Sequence, residues 1–154
     1  MKMATVISVR GETPSQLEAD PDFVYVGRSM FRQGWRDSGW GNPWRNRDFS
    51  RGIADCLLHF EQTFDAIGEL VSRPKGHWWD EPVPDLIRRL DVQDRAKLTR
   101  MWVNLPLLCG KTLGCWCGRW SPGEREISCH AVILAKAANR LVEVADTFSP
   151  GPVS

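Results

Sequence analysis

Residues 111–130 constrain the fold and the chemistry of this chain more than any other segment. They hold three of its five cysteines and one of its three histidines. The first seven residues of the segment predict a β-strand, and the last few open a predicted helix. Side chains alternate along a strand, so Cys115 and Cys117 are expected on one face, close to the Cys129-His130 pair. The segment therefore predicts a strand-to-helix corner that is rich in metal-binding and nucleophilic groups.

Three interpretations of this corner stay open. Cys115, Cys117, Cys129 and His130 are the kinds of ligand that a tetrahedral Zn²⁺ prefers, although the Cys-x-Cys and Cys-His pairs are tighter than usual zinc spacings. A helix N-terminus also lowers the pKa of a cysteine, which would make the corner a reactive site with His130 and Cys117 as candidate catalytic residues. Free cysteines are also common in protein cores, where they act as small apolar side chains.

Short β-branched runs alternate with helical patterns along the chain. Residues 5–9 and 23–26 predict two more strands, and residues 53–67 repeat apolar side chains at the three-to-four spacing of an amphipathic helix. The predicted helix N-caps are Ser50, Asp91 and Ser128. This alternation predicts an α/β fold with a small, largely parallel sheet and flanking helices. We expect a single domain over residues 1–148 and a flexible tail over residues 149–154.

The overall composition restricts the class of protein only loosely. The net charge of +1 neither indicates nor excludes a nucleic-acid partner. No apolar run approaches the roughly 18 residues that a membrane span needs, and the first residues lack the apolar core of a secretory signal. An odd number of cysteines, several of them clustered, is typical of a reducing compartment. We therefore expect a cytoplasmic protein without a membrane partner.

A long segment that is rich in arginine, glycine and tryptophan follows the second predicted strand. Ligands of α/β proteins bind beyond the carboxyl ends of strands, where this segment begins. Arginine side chains bind phosphate, and tryptophan rings stack on flat molecules. The predicted substrate-binding residues are Arg28, Asn42, Trp44 and Arg45. The alternative is a solvated loop with an ordinary Gly-Asn-Pro turn.

Five short motifs follow one another in the sequence. They are Tyr-x-Gly-Arg at 25–28, Gly-Asn-Pro-Trp at 41–44, Leu-x-Gly-Lys-x-Leu at 108–113, Cys-Trp-Cys at 115–117 and Cys-His at 129–130. In this combination, from about residue 23 to residue 139, the chain resembles an uncharacterised group of small phage, bacterial and fungal proteins that is known only as a domain of unknown function. Residues 73–84 and the linker 118–128 are longer than in that group. The resemblance implies a shared fold and a shared site, and it names no reaction.

Two functions are compatible with these features. The first is a small intracellular enzyme, with zinc as the candidate cofactor, that acts on a nucleotide, a nucleoside or a similar phosphorylated planar substrate. The second is a module that binds single-stranded nucleic acid, with the cysteines as a structural metal clip. Steep salt dependence of binding would distinguish the second function from the first.

Overall fold

Three short parallel strands form a sheet in the described part of the protein. A computed structural model describes residues 2–72, 83–127 and 129–148. Its strands are β1 (Thr5–Ser8), β2 (Phe23–Tyr25) and β3 (Thr112–Cys115), and they lie in the order β1-β3-β2. Both neighbouring pairs are parallel. The prediction of an α/β fold with a small parallel sheet and flanking helices is confirmed.

One face of the sheet packs against aromatic side chains. Val9, Phe23 and Tyr25 form a buried cluster with Trp35, whose ring stacks on the Tyr25 ring with centroids 4.5 Å apart. The middle strand has room for this cluster because Gly114 has no side chain. A Cβ atom at Gly114 would lie 2.5 Å from the Phe23 ring and 2.8 Å from a methyl group of Val9. The aromatic residues of this region therefore serve mainly as core.

A long helix packs on β1 and β3. This helix, α5 (His130–Phe148), presents a run of small and branched apolar side chains that are buried. Asn139 of α5 is also buried. Its side chain is satisfied there, because it accepts a hydrogen bond from the backbone N–H of Ala4 at 2.7 Å and donates one to the Ala4 carbonyl at 3.2 Å. These two bonds fix the start of β1 against the helix. The packing of α5 on β1 and β3 thereby places its N-terminal end beside the sheet.

The chain divides into two compact units. Unit 1 consists of residues 1–41 and 105–154 and contains the sheet, α5 and the short helix α1 (Pro14–Leu17). Unit 2 consists of residues 42–104, and its described residues include three α-helices, of which α2 packs against the other two. These helices are α2 (Ile53–Val71), α3 (Asp85–Arg88) and α4 (Val92–Val103). The expected domain limits, 1–148 with a tail after them, stay a prediction.

The predicted helix starts had mixed outcomes. Asp91 caps α4 as predicted, since its carboxylate accepts a hydrogen bond from the backbone N–H of Gln93 at 2.6 Å. The prediction for Ser50 is wrong, because Gly52, at a φ of +58°, is the residue that precedes α2. A left-handed backbone costs glycine little, which explains why the chain turns there. Ser128 and residues 149–154 lie outside the described residues.

None of the described helices combines the length and the apolar character that crossing a membrane requires.

Candidate metal centre

Three cysteine sulfur atoms meet where β3 ends and α5 begins. The Sγ atoms of Cys115, Cys117 and Cys129 all lie within 4.8 Å of one another, and those of Cys115 and Cys129 are 3.2 Å apart. Two sulfur ligands of a tetrahedral zinc ion, each about 2.3 Å from the metal, lie about 3.8 Å apart. The sulfur separations lie on both sides of this distance, so the three cysteines are close enough together to hold a metal ion. Cys115 and Cys129 are each 1% exposed, whereas Cys117 is exposed.

Strand alternation and the linker that follows β3 bring these sulfurs together. Cys115 is the last residue of β3, and Cys117 lies two residues further on, so both sulfurs reach the start of α5. The chain then pairs with the free edge of β1 through two hydrogen bonds of 2.9 Å between the backbones of Trp120 and Val6. The Trp120 indole also donates to the Glu124 carbonyl at 3.0 Å. These contacts hold the first part of the linker, around Trp120, beside the sheet.

The electrostatics of the cluster favour one negative charge on the three sulfurs, with Cys115 as the thiolate and the other two cysteines as thiols. The pKa of Cys115 is lowered because the thiols of Cys117 and Cys129 donate hydrogen bonds to its sulfur, with further help from backbone hydrogen bonds. The same sharing raises the pKa of Cys117 and of Cys129, since ionising a second thiol would break a hydrogen bond and place two negative charges side by side. A divalent metal would supply the positive charge that allows all three sulfurs to ionise.

His130 lies beside the cluster but is not one of its grouped ligands. Its Nε2 atom is 2.7 Å from the carbonyl oxygen of Val26, just after β2. A carbonyl only accepts hydrogen bonds, so Nε2 carries a proton and donates it. Among the described residues, the group of possible metal ligands contains the three cysteines without this histidine. Three ligands grouped in this way would leave the fourth position of a tetrahedral metal to water or to another molecule.

The Tyr-x-Gly-Arg motif builds the neighbouring strand end. The Tyr25 hydroxyl donates a hydrogen bond to the Arg28 carbonyl at 2.5 Å, so the phenol ring folds over Gly27. A Cβ atom at Gly27 would overlap that ring, which explains the glycine. The Ser38 hydroxyl donates to the Gly27 carbonyl at 2.8 Å. Arg28 is exposed at this strand end, and its role in ligand binding stays a prediction.

The other predicted substrate-binding residues lie in unit 2. Asn42 is 7% exposed, and its amide oxygen accepts from the backbone N–H of Trp44 at 2.9 Å while its Nδ2 donates to the Cys56 sulfur at 3.4 Å. These bonds show that its amide stabilises the Gly-Asn-Pro turn. Trp44 is half-buried, with its ring edge-on to His59 at a centroid distance of 4.2 Å. Arg45 is exposed and precedes a short 3-10 helix.

One basic residue at the edge of the cluster was missed by the sequence reasoning. Arg10 follows β1, and its Nε donates a hydrogen bond of 2.7 Å to the carbonyl oxygen of Trp116, the residue between Cys115 and Cys117. The parallel pairing of Ser8 with Cys115 could have revealed this neighbour, because two further residues along both strands lead to Arg10 and Cys117. That pairing is not readable from the sequence alone.

Fold and cluster together define an α/β protein with a three-thiol site at the carboxyl end of its central strand. The chain belongs to the family described as Domain of unknown function (DUF4326), whose profile matches residues 9–140. The match includes the three cysteines, Arg10, Arg28 and His130. Searches of curated proteins and of solved structures gave no match.

Proposed function

We propose that this protein is a zinc-dependent enzyme that acts on a nucleotide, a nucleoside or a similar phosphorylated planar molecule. The observation that carries the proposal is the convergence of Cys115, Cys117 and Cys129 within 4.8 Å at the carboxyl end of the central strand. Ligands of parallel α/β sheets bind at that end of the strands. Thiolates select zinc over magnesium or calcium, which prefer oxygen ligands.

A group of three protein ligands supports an enzyme more than a purely structural clip. Structural zinc sites are usually closed by four protein ligands, whereas catalytic sites use three and keep one position open. The described ligand group has three members, and Cys117 is exposed on one side of it. A zinc ion at such a position polarises a bound oxygen atom or lowers the pKa of bound water.

The protein groups around the cluster have roles that follow from their positions. His130 is held by the Val26 carbonyl next to the cluster, so its imidazole is oriented for proton transfer to or from a substrate. Cys117 is the most accessible sulfur and would act either as a ligand that exchanges or as a nucleophile. Arg28 is exposed at the end of β2 and would contact a phosphate group.

Metal analysis tests the central part of the proposal. Purified protein should contain about one zinc ion per chain, and Cys115→Ser, Cys117→Ser and Cys129→Ser should each lose most of it. Cys109→Ser is the matched control, because Cys109 belongs to unit 1 but its thiol donates to the Ala138 carbonyl at 3.5 Å, away from the cluster. Zinc-free protein, or full zinc content in the cluster variants, would overturn the proposal.

Alkylation with iodoacetamide gives a second test that does not require a known substrate. In zinc-free protein, at an alkaline pH that offsets the raised pKa of its thiol, Cys117 should be modified faster than Cys115 and Cys129, because those two sulfurs are buried and inaccessible to the reagent. Zinc should protect Cys117 and leave the modification of Cys109 unchanged. Equal rates at Cys117 with and without zinc would argue against its role as a ligand.

Several finer expectations belong to the same proposal. Asn42, Trp44 and Arg45, which lie in unit 2, are proposed ligand-binding residues, and nucleotide binding by Trp44→Ala and Arg45→Gln would test this proposal. The alternative function, binding of single-stranded nucleic acid, predicts an affinity that falls steeply with salt. A cytoplasmic location and a distribution over phages, bacteria and fungi remain expectations.

A further inference from the structure

The end of β1 presents an arginine in a fixed position at the edge of the cysteine cluster. Arg10 lies in a turn in which the backbone N–H of Glu12 donates to the Val9 carbonyl at 3.0 Å, and Gly11 supports this turn with a φ of +78°. The Nε of Arg10 donates to the Trp116 carbonyl at 2.7 Å. Backbone and side chain are therefore both held, although the residue is exposed.

The strand register places this arginine next to Cys117. Ser8 pairs with Cys115, and the ladder continues through a hydrogen bond of 2.9 Å from the backbone N–H of Val9 to the Cys115 carbonyl. The next residue along each strand brings Arg10 beside the Trp116-Cys117 step. The hydrogen bond from Arg10 to Trp116 confirms that neighbourhood.

The guanidinium group of Arg10 keeps donors for a ligand. Its Nε is occupied by the Trp116 carbonyl, which leaves the two terminal nitrogen atoms of the planar group. Within the described part of the chain, the carboxylates in ion pairs have other partners, and none of them pairs with Arg10. An arginine that is fixed at one nitrogen and unpaired at the others is prepared for two parallel hydrogen bonds to an oxyanion.

We propose that Arg10 binds the phosphate group of the substrate at the edge of the cysteine cluster. This inference rests on the proposed function for the nucleotide-like substrate, but it makes a separate claim about an oxyanion site. The site combines the terminal nitrogen atoms of Arg10 with the exposed side of Cys117. The ligand of this site would carry a phosphate group at a fixed position relative to the sulfur cluster. Arg10 would then determine specificity for phosphorylated over unphosphorylated molecules.

Titration with inorganic phosphate tests this site in the full-length protein. Chemical shifts of backbone amides near residues 9–12 and 116–118 would report binding at constant ionic strength. Arg10→Gln should weaken phosphate binding about tenfold or more, because hydrogen bonds to a charged group are lost. Arg10→Lys should show an intermediate affinity, since it keeps the charge but lacks the planar fork. Arg95→Gln is the matched control, an exposed arginine of α4 in unit 2, and should bind phosphate like the native protein.

The outcomes separate this inference from the proposed function. Normal zinc content together with equal phosphate affinity in the native protein and Arg10→Gln would overturn the role of Arg10 and leave the metal site intact. Weakened phosphate binding in Arg10→Gln would support the oxyanion site even if the native protein held no zinc. Titration with acetate distinguishes the source of the oxyanion, because tighter binding of acetate than of phosphate would overturn the assignment to phosphate.

Discussion

Replacement of Gly114 by alanine tests how closely the middle strand is packed. Gly114 lies in β3, and the added methyl group would meet the Phe23 ring at 2.5 Å and 2.6 Å and a Val9 methyl group at 2.8 Å. Phe23 and Val9 belong to the buried cluster that includes Tyr25 and Trp35. Neither side chain is a flexible surface group, so the strands or the rings must shift. We expect Gly114→Ala to destabilise the protein.

Two opposing terms set the size of this effect. Overpacking of a core costs about 1–3 kcal/mol. Alanine also restricts the unfolded chain more than glycine does, which stabilises the folded state by about 0.4–1 kcal/mol. The free energy of unfolding should therefore fall by about 1–2 kcal/mol. For a protein of this length, that corresponds to a decrease in Tm of about 2–8 °C.

Urea unfolding of four proteins provides the assay and its control. The set consists of the native protein, Gly114→Ala, Phe23→Leu and the double variant. If the steric argument holds, Phe23→Leu should cost at least about 0.5 kcal/mol less in the alanine background, because the shorter side chain relieves the overlap. A Gly114→Ala variant at least as stable as the native protein, or strictly additive effects, would refute the close packing. The zinc content of Gly114→Ala should also fall, because Cys115 follows Gly114 directly in the chain.

Three further predictions concern individual side chains. Burial lowers the pKa of His59, so the unfolded chain binds protons more readily, and the free energy of unfolding should fall as the pH drops through and below 6.5. His59→Gln should lose less stability over this pH range, and the same pH dependence of stability in the native protein and His59→Gln would contradict the reasoning. Asn139→Ala should cost about 2–3 kcal/mol in urea unfolding, because the buried backbone groups of Ala4 lose both partners; a loss under about 0.5 kcal/mol would indicate that water replaces them. Asp91→Ala should cost about 0.5–2 kcal/mol by removing the cap of α4, whereas Asp91→Asn should retain most of the stability; equal losses in both would rule out capping as the cause.

Local patterns in the sequence accounted for most of the secondary structure. All three strands were found at nearly their observed positions, because β-branched runs that end at glycine are strong local signals. The cap at Asp91 was found for the same reason, since capping depends on a side chain and a backbone group only two residues apart. Ser50 failed as a cap because Gly52 adopts a left-handed backbone that decides where α2 begins. The sequence also gave no indication that residues 42–104 form a separate compact unit.

In the candidate site too, local patterns predicted some features and missed others. Alternation in a strand predicted from the sequence that Cys115 and Cys117 would reach the same side, and their sulfurs do meet that of Cys129. The expectation for His130 was broader than the observed geometry, because its ring contacts the carbonyl of Val26, the residue that follows β2. Arg10 was not recognised at all, since it is more than a hundred residues from Trp116 in the chain.

Residue types and local patterns therefore predict which groups could perform chemistry and on which elements they lie. Residue type, periodicity of two or 3.6, and capping are properties of neighbours in the chain, and they are readable without a fold. Which of these groups meet depends on how the elements pack in three dimensions. The order β1-β3-β2 brings Arg10 beside Cys117, and the pairing of Trp120 with Val6 returns the linker so that Cys129 closes the cluster. Such contacts depend on packing between distant segments, which no local pattern encodes.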